Sequence, residues 1–178
     1  PAVQTGGAKI KLAPEWIGAA RTDTGSKDQV NDSTSRGQHG SNGVLKPDVA
    51  APGTNIGSAG VSMGNGVSVK TGTSMATPHV AGIAALVQQK HQNYSPQNIK
   101  SAIMNSAVHD VHAANGKTSA VDRVGSGRVD ALRAVNQDVM VYDKADTSVV
   151  SSTFGVTEIR NARDTFSREL VVDNTGGA

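Results

Sequence analysis

The clearest periodic stretch lies just before the middle of the chain. Val80, Ile83, Ala84 and Val87 recur at three- and four-residue intervals, the spacing of one helix face. Ala81, Gly82, Ala85 and Leu86 fill the other side. The helix predicted from Ser74 to about Lys90 is therefore apolar nearly all round, as expected of a helix in the interior of a domain. A second helix is predicted after Tyr94, with Ser95 as its cap and Pro96 at its first position. Its inner stripe is Ile99, Ala102, Ile103 and Ser106 or Ala107. Gly127 to Val135 suits a short terminal helix.

Strand patterns are shorter. Glu15 to Ala20 reads as a buried strand. Val44 to Ala51 reads as a second, closed by Pro52-Gly53. Asn55 to Val69 alternates weakly around the turn signal Gly64-Asn65-Gly66 and is expected to form a hairpin. Residues 1–14, 21–43 and 109–126 are expected to be loops, the second of them rich in Thr, Asp, Ser, Asn and Gly. From Asp138 on, β-branched runs alternate with turns: Val139 to Tyr142, Ser148 to Val150, and Glu169 to Val172, the last closed by Asp173 to Gly176.

The chemistry centres on Thr71 to Gly82, between the β-like run Val67-Ser68-Val69 and the apolar helix. The order is strand, tight turn, helix, with Ser74 at the helix entrance. A helix N-terminus presents free N–H groups and the positive end of a dipole. A nucleophile there has donors at hand for a developing oxyanion. Pro78 lacks the N–H that would bond the Ser74 carbonyl, so the first turn is expected to be distorted at Ser74. The plainer reading of one such serine is a helix cap.

The longer string favours chemistry. Gly72-Thr73-Ser74-Met75-Ala76-Thr77-Pro78-His79-Val80-Ala81-Gly82 resembles the serine-nucleophile motif of the subtilisin-like serine proteases, the subtilases. Lys46-Pro47-Asp48-Val49-Ala50-Ala51-Pro52-Gly53 resembles the segment that precedes that motif. Thr34-Ser35-Arg36-Gly37 resembles the turn before that. Order and approximate spacing agree. The resemblance covers about residues 1–135, the C-terminal half of a subtilase domain. It implies a three-layer α/β fold with a mainly parallel sheet, truncated at its N-terminal side. Residues 136–178 resemble the start of the β-rich extension that follows the protease domain in many larger subtilases.

The implied reaction is acyl transfer from a polypeptide substrate. Ser74 Oγ attacks the peptide carbonyl, a histidine takes its proton, and an aspartate orients that histidine. The Ser74 N–H and an asparagine side chain stabilise the oxyanion. Gly72, Thr73 and Met75 flank the nucleophile in the oxyanion and substrate-binding turn. In the family the aspartate, histidine and asparagine precede the matching region. This chain is thus expected to hold the nucleophile, to lack a complete site, and to need the N-terminal part of the catalytic domain as its partner. Much of the substrate cleft, and any calcium sites, would lie there too.

Asp23-Thr24-Gly25 and His39-Gly40-Ser41 look like the family's aspartate and histidine motifs. We set them aside. The family's histidine opens a helix, and nothing helical follows His39 before Pro47. Both residues lie in one loop with no crossover unit between them, and they flank Thr34 to Gly37, which has its own place in the register. His79 shares the helix of Ser74 and is expected to be a packed, hydrogen-bonded side chain. His91 sits at that helix's C-terminus, where a cation is favoured; His109 and His112 lie in a loop.

Two other classes compete. Gly72 to Ala76 is close to the Gly-x-Ser-x-Gly elbow of α/β-hydrolase esterases, for which Asp110 and His112 would be the partners. That fold needs further strand–helix units downstream, where helices and loops are expected. The chain could instead belong to a non-catalytic subtilase-fold module for binding or structure.

Composition changes this picture little. The chain has 178 residues, net charge +2 and a sequence pI of 9.1. No basic run points to nucleic acid or a membrane surface. Cysteine is absent, which excludes disulfides and thiolate chemistry. No ligand spacing points to a metal or other cofactor. No apolar run is long enough to cross a bilayer, and no signal peptide is visible. The start on Pro1 reads as a cut from something longer. The resemblance implies a secreted protein.

Overall fold

The computed structural model of the protein describes residues 26–37, 44–155, 157–161 and 163–176. The expected strand Glu15 to Ala20, and Asp23 and His39, lie outside these residues. The elements in chain order are β1 (Ile56–Ala59), β2 (Val67–Lys70), α1 (Thr73–Lys90), α2 (Pro96–Asn105), α3 (Val121–Val124), α4 (Ala131–Val135), β3 (Val139–Asp143) and β4 (Leu170–Asn174). Among the described residues they give an α/β arrangement of helices and two two-stranded antiparallel sheets.

The core is built by α1, α2, α4 and β3. Ile83 and Val87 of α1 cluster with Ala102 and Ile103 of α2, Ala134 of α4, Met140 of β3, and Val129 from the segment before α4. Met140 and Val87 are fully buried. Only one side of α1 is covered among the described residues. Ala81, Gly82 and Ala85 are exposed, and Leu86 keeps 49% of its surface. The all-round apolar pattern of α1 therefore corresponds here to one packed and one bare face.

The caps explain where the helices begin. The Ser95 hydroxyl accepts from the Asn98 N–H at 3.2 Å, and the Ser95 N–H donates to the Asn98 side chain at 3.2 Å. This reciprocal pair satisfies donors the first turn would leave bare, and Pro96 takes the first helical position. The expected helix from Gly127 is shorter than its pattern. It starts only at Ala131, because Asp130 caps it by accepting from the Arg133 N–H at 3.0 Å.

Gly127 to Val129 are extended instead. Arg128 exchanges two backbone hydrogen bonds with Val108, of 2.8 and 2.9 Å. On its other side, Ala50 donates to Gly127 and accepts from Val129. The pairing of Ala50 with Arg128 is parallel, as is that of Gln29 with His112. Parallel pairing among the described residues is confined to such isolated bridges.

Three further expectations are corrected. Val44 to Ala51 forms no continuous strand, because Lys46 bridges Gly37 antiparallel while Ala50 bridges Arg128. Pro47, with no N–H to donate, separates these two partners. Residues 109–126 are more than surface loop. Val111, Ser119, Asp122 and Val124 are buried, and Val111 and Val124 pack with Val30 in a second small core. Ser148 to Val150 is not a strand, since Val150 turns back at φ 67°. The Asp143 carboxylate organises that loop, accepting from the Ala145 N–H at 2.8 Å and the Ser152 hydroxyl at 2.7 Å. These bonds favour the charged carboxylate and lower its pKa, the Ser152 bond most.

The hairpin forms as expected, with Ile56 opposite Lys70 and Ala59 opposite Val67. β3 and β4 also pair antiparallel, Val141 opposite Val172, and β4 continues to Asn174, two residues beyond its apolar run.

Met140 joins β3 to the helices, which gives a direct test. Met140→Ala is expected to cost about 2–5 kcal/mol of stability. Val139→Ala, at a neighbouring position 41% exposed, should stay within about 0.5 kcal/mol. Urea unfolding of both variants checks the contrast, and equal losses would contradict the core described.

Candidate active site

The turn Gly72-Thr73-Ser74-Met75 joins β2 to α1, and Ser74 is the second residue of the helix. Ser74 and Thr73 are exposed, while Gly72 and Met75 are half-buried. Gly72 occupies the position before the helix at φ 154° and ψ 168°, a conformation other residues rarely adopt. Its carbonyl accepts from the Met75 N–H at 3.0 Å and from the Ala76 N–H at 3.4 Å. The Ser74 N–H comes before both, among the first helical donors that have no intrahelical acceptor.

Ser74 is not a helix cap. The position before the helix is Gly72, and it makes no side-chain capping bond. The commonest structural role of a serine at such a place is therefore not the one it fills.

The helix keeps its course through Pro78. The distortion expected there reduces to one hydrogen bond that proline cannot make to the Ser74 carbonyl. Side chains bond the carbonyls on either side. The Thr77 hydroxyl donates to Thr73 at 3.0 Å, and His79 Nδ1–H donates to Met75 at 2.9 Å. His79 is hydrogen-bonded as expected but exposed rather than packed. The bond commits its Nδ1 proton to the helix backbone.

What holds the turn comes from upstream. The Gly72 N–H donates to the Gly53 carbonyl at 2.8 Å. The Asn55 N–H donates to the Thr71 hydroxyl at 2.9 Å. The block Lys46 to Gly53 thus ends directly against the serine turn. Its middle is anchored in turn: the Lys46 ammonium lies 2.7 Å from the Asp48 carboxylate, and the Ser126 N–H donates to the Asp48 carbonyl at 2.9 Å. The Thr34 to Gly37 turn docks on the same framework. Gly37 N–H donates to the Asp122 carbonyl at 2.9 Å, and Arg36 pairs with the Asp122 carboxylate at 3.1 Å. The three motifs separated in sequence therefore meet around one body.

The remaining histidines have other partners. His91 Nε2–H donates to the Val135 carbonyl at 2.9 Å and its ring stacks on Tyr94 at 4.2 Å. His109 and His112 bond the Ser126 and Ala113 carbonyls. Asp110 is taken by Arg128, whose guanidinium bonds it at 2.5 Å and lowers its pKa. Arg128 also pairs with Asp28 at 3.0 Å. Asp110 and His112 are thus engaged in holding residues 108–128 together. Among the described residues no group of three or more His, Asp or Glu side chains converges to hold a metal ion.

Sequence reasoning placed Thr71 in the central stretch without a role for its hydroxyl, and did not single out Gly53 and Asn55 as parts of the site. The signal available was the position of Gly53 at the end of its motif.

Comparison with known proteins now decides the family. The sequence model of the subtilase family matches residues 5–155. The chain belongs to the subtilase family. The minor extracellular protease Vpr of Bacillus subtilis (strain 168) is 32% identical over 151 residues, covering 83% of this chain and 18% of that protein. The subtilisin-like protease SBT1.9 of Arabidopsis thaliana is 40% identical over 114 residues, covering 56% of this chain and 14% of that protein. The chain thus spans less than a fifth of these curated relatives. A solved structure, that of the prenylagaramide maturation protease PagA, aligns at 33% identity with a TM-score of 0.39, over 48% of this chain and 31% of that one. Subtilase membership supports a serine peptidase, and leaves the α/β-hydrolase reading without support.

Met75 provides a test of this geometry. Its sulfur lies 3.9 Å from the point a Cβ on Gly72 would occupy, so the thioether borders the turn. Oxidation makes it a bulkier, polar sulfoxide. If the turn serves acyl transfer, peroxide should lower turnover, by up to the roughly hundred- to thousand-fold that follows loss of an oxyanion donor, with a smaller effect on KM. Met75→Ala should keep most activity and resist peroxide. If that variant is inactivated as fast as the parent, Met75 does not border the oxyanion position.

Proposed function

We propose that this chain is the C-terminal part of a subtilisin-like serine endopeptidase, with Ser74 as its nucleophile. The observation that carries the proposal is the placement of Ser74. It is exposed in the first turn of α1, is not used as a cap, and lies two residues after Gly72, whose N–H is fixed to the preceding motif.

On this reading Ser74 Oγ attacks the carbonyl carbon of a peptide bond. Its proton passes to a histidine of the N-terminal part of the catalytic domain, oriented by an aspartate. The Ser74 N–H, together with an asparagine side chain, receives the developing oxyanion. Met75 and Gly72 bound the oxyanion position, and Thr73 presents its exposed side chain beside it. The histidine returns the proton to the leaving amine, and water then releases the acyl group.

The domain assignment extends the same reading. Residues 1–135 are the end of a three-layer catalytic domain whose parallel sheet is completed by its N-terminal part. Residues 136–178 begin a β-rich extension, which packs on α2 through Met140. The partners are a polypeptide substrate and the N-terminal part of the domain; no role is proposed for nucleic acid or membrane. Calcium, a possible cofactor of the full-length protein, would bind in the N-terminal part. An extracellular location is supported by the description of the Bacillus relative as extracellular. Among the described residues no helix is long and apolar enough to cross a membrane.

A fluorophosphonate probe tests the assignment. A serine hydroxyl without an adjacent base is a weak nucleophile. The full-length protein should be labelled at Ser74, and Ser74→Ala should abolish both labelling and peptide cleavage. Asp23→Ala and His39→Ala should leave cleavage near normal. Residues 1–178 alone should not be labelled. Rapid stoichiometric labelling of that piece would overturn the incomplete site and return Asp23 and His39 to the triad. A full-length protein with an accessible Ser74 and no labelling would favour a non-catalytic module.

A further inference from the structure

We propose that Gly53 is a positioning residue for the nucleophile, fixing Ser74 through the Gly72 carbonyl. The inference rests on the proposed role of Ser74.

A Cβ built on Gly53 would come 2.8 Å from the Gly72 carbonyl oxygen and 3.4 Å from the Ala76 Cβ. The first distance is shorter than real contacts allow. The atom it meets is backbone, so no side-chain rotation relieves it. That same carbonyl accepts the Met75 and Ala76 N–H groups. Moving it therefore moves the first turn of α1, with Ser74 inside it.

Gly53 itself does not lie at positive φ. Its glycine is required by contact and not by backbone conformation. An alanine there adds one methyl group and no backbone strain, which separates displacement of the turn from a general conformational penalty. The Gly53 carbonyl also receives the Gly72 N–H at 2.8 Å. Attraction and steric limit thus act at one point. A second strap, the Asn55 N–H to Thr71 hydroxyl bond at 2.9 Å, ties the same two segments next to it.

A catalytic group shifted by a fraction of an ångström loses alignment with its base and with the oxyanion position. A misplacement of 1 Å can cost on the order of a hundredfold in rate. A structural role alone would reduce the fraction of folded protein and leave each folded molecule as fast as before.

The experiment compares Gly53→Ala, Thr71→Val, Thr71→Ser, Gly57→Ala and Ser74→Ala in the full-length protein. Active-site titration counts competent molecules, and kcat is expressed per titrated site. Gly53→Ala should lower kcat per site by roughly ten- to a hundredfold with KM changed much less. Thr71→Val, which removes the acceptor at nearly constant shape, should lower it by about three- to tenfold. Thr71→Ser restores the hydroxyl and should stay within about twofold. Gly57→Ala, where the added Cβ meets only the Val67 side chain at 3.6 Å, is the control and should match the parent. If Ser74→Ala removes activity while Gly53→Ala keeps the parent's kcat per site, the positioning role is overturned and the proposed function stands. If Ser74→Ala remains active, the proposed function itself fails. Should Gly53→Ala not fold, the Thr71 pair decides: equal kcat for Val and Ser overturns the inference.

Discussion

The site depends on the contact between Gly53 and Gly72. A hydrogen bond of 2.8 Å draws the two segments together there, and the absence of a side chain on Gly53 lets them come that close. The bond alone contributes only about 0.5–1.5 kcal/mol net. Its larger consequence is geometric. It sets the carbonyl from which the first turn of α1 is hung, and so the direction in which Ser74 is presented. The arginine turn at Arg36-Gly37 holds Asp122, and the Asp48 carbonyl receives Ser126. The block that carries Asp48 ends on Gly53 against the serine turn.

The rest of the molecule keeps α1 in place. Ile83 and Val87 bury one side of the helix against α2, α4 and Met140, while the exposed end carries Ser74. A helix that is anchored along its length and open at its N-terminus suits a group that must meet a substrate without moving. The bare side, with Leu86 and Ala85, fits the family assignment, because the chain spans less than a fifth of its curated relatives.

The sequence made the long elements legible. The 3.6-residue period located α1, the Ser95-Pro96 cap located α2, and Gly64-Asn65-Gly66 located the hairpin. Each of these signals is local, carried by a cap, a turn or one helix face. The misread segments were those whose state depends on distant partners. Lys46 and Ala50 bond to different segments, so a β-like run became two bridges. Arg128 is held extended by Val108 and Ala50 before Asp130 can start a helix. Val111 and Val124 are buried only because Val30 comes to meet them. At the site, the motif carried Ser74 and Met75, and the helix entrance agrees with it. The contact of Gly53 was not legible, because it is a close approach of its backbone to Gly72 and no residue pattern reports such a distance.

The most direct test of the account is a crystal structure of the full-length protein with a peptidyl boronate bound. The account predicts a tetrahedral boron on Ser74 Oγ, one boronate oxygen about 2.7–3.1 Å from the Ser74 N–H, and Gly72 still hydrogen-bonded to Gly53. A boronate attached to another residue, or a Ser74 turned inward as a helix cap while the inhibitor acts elsewhere, would contradict it.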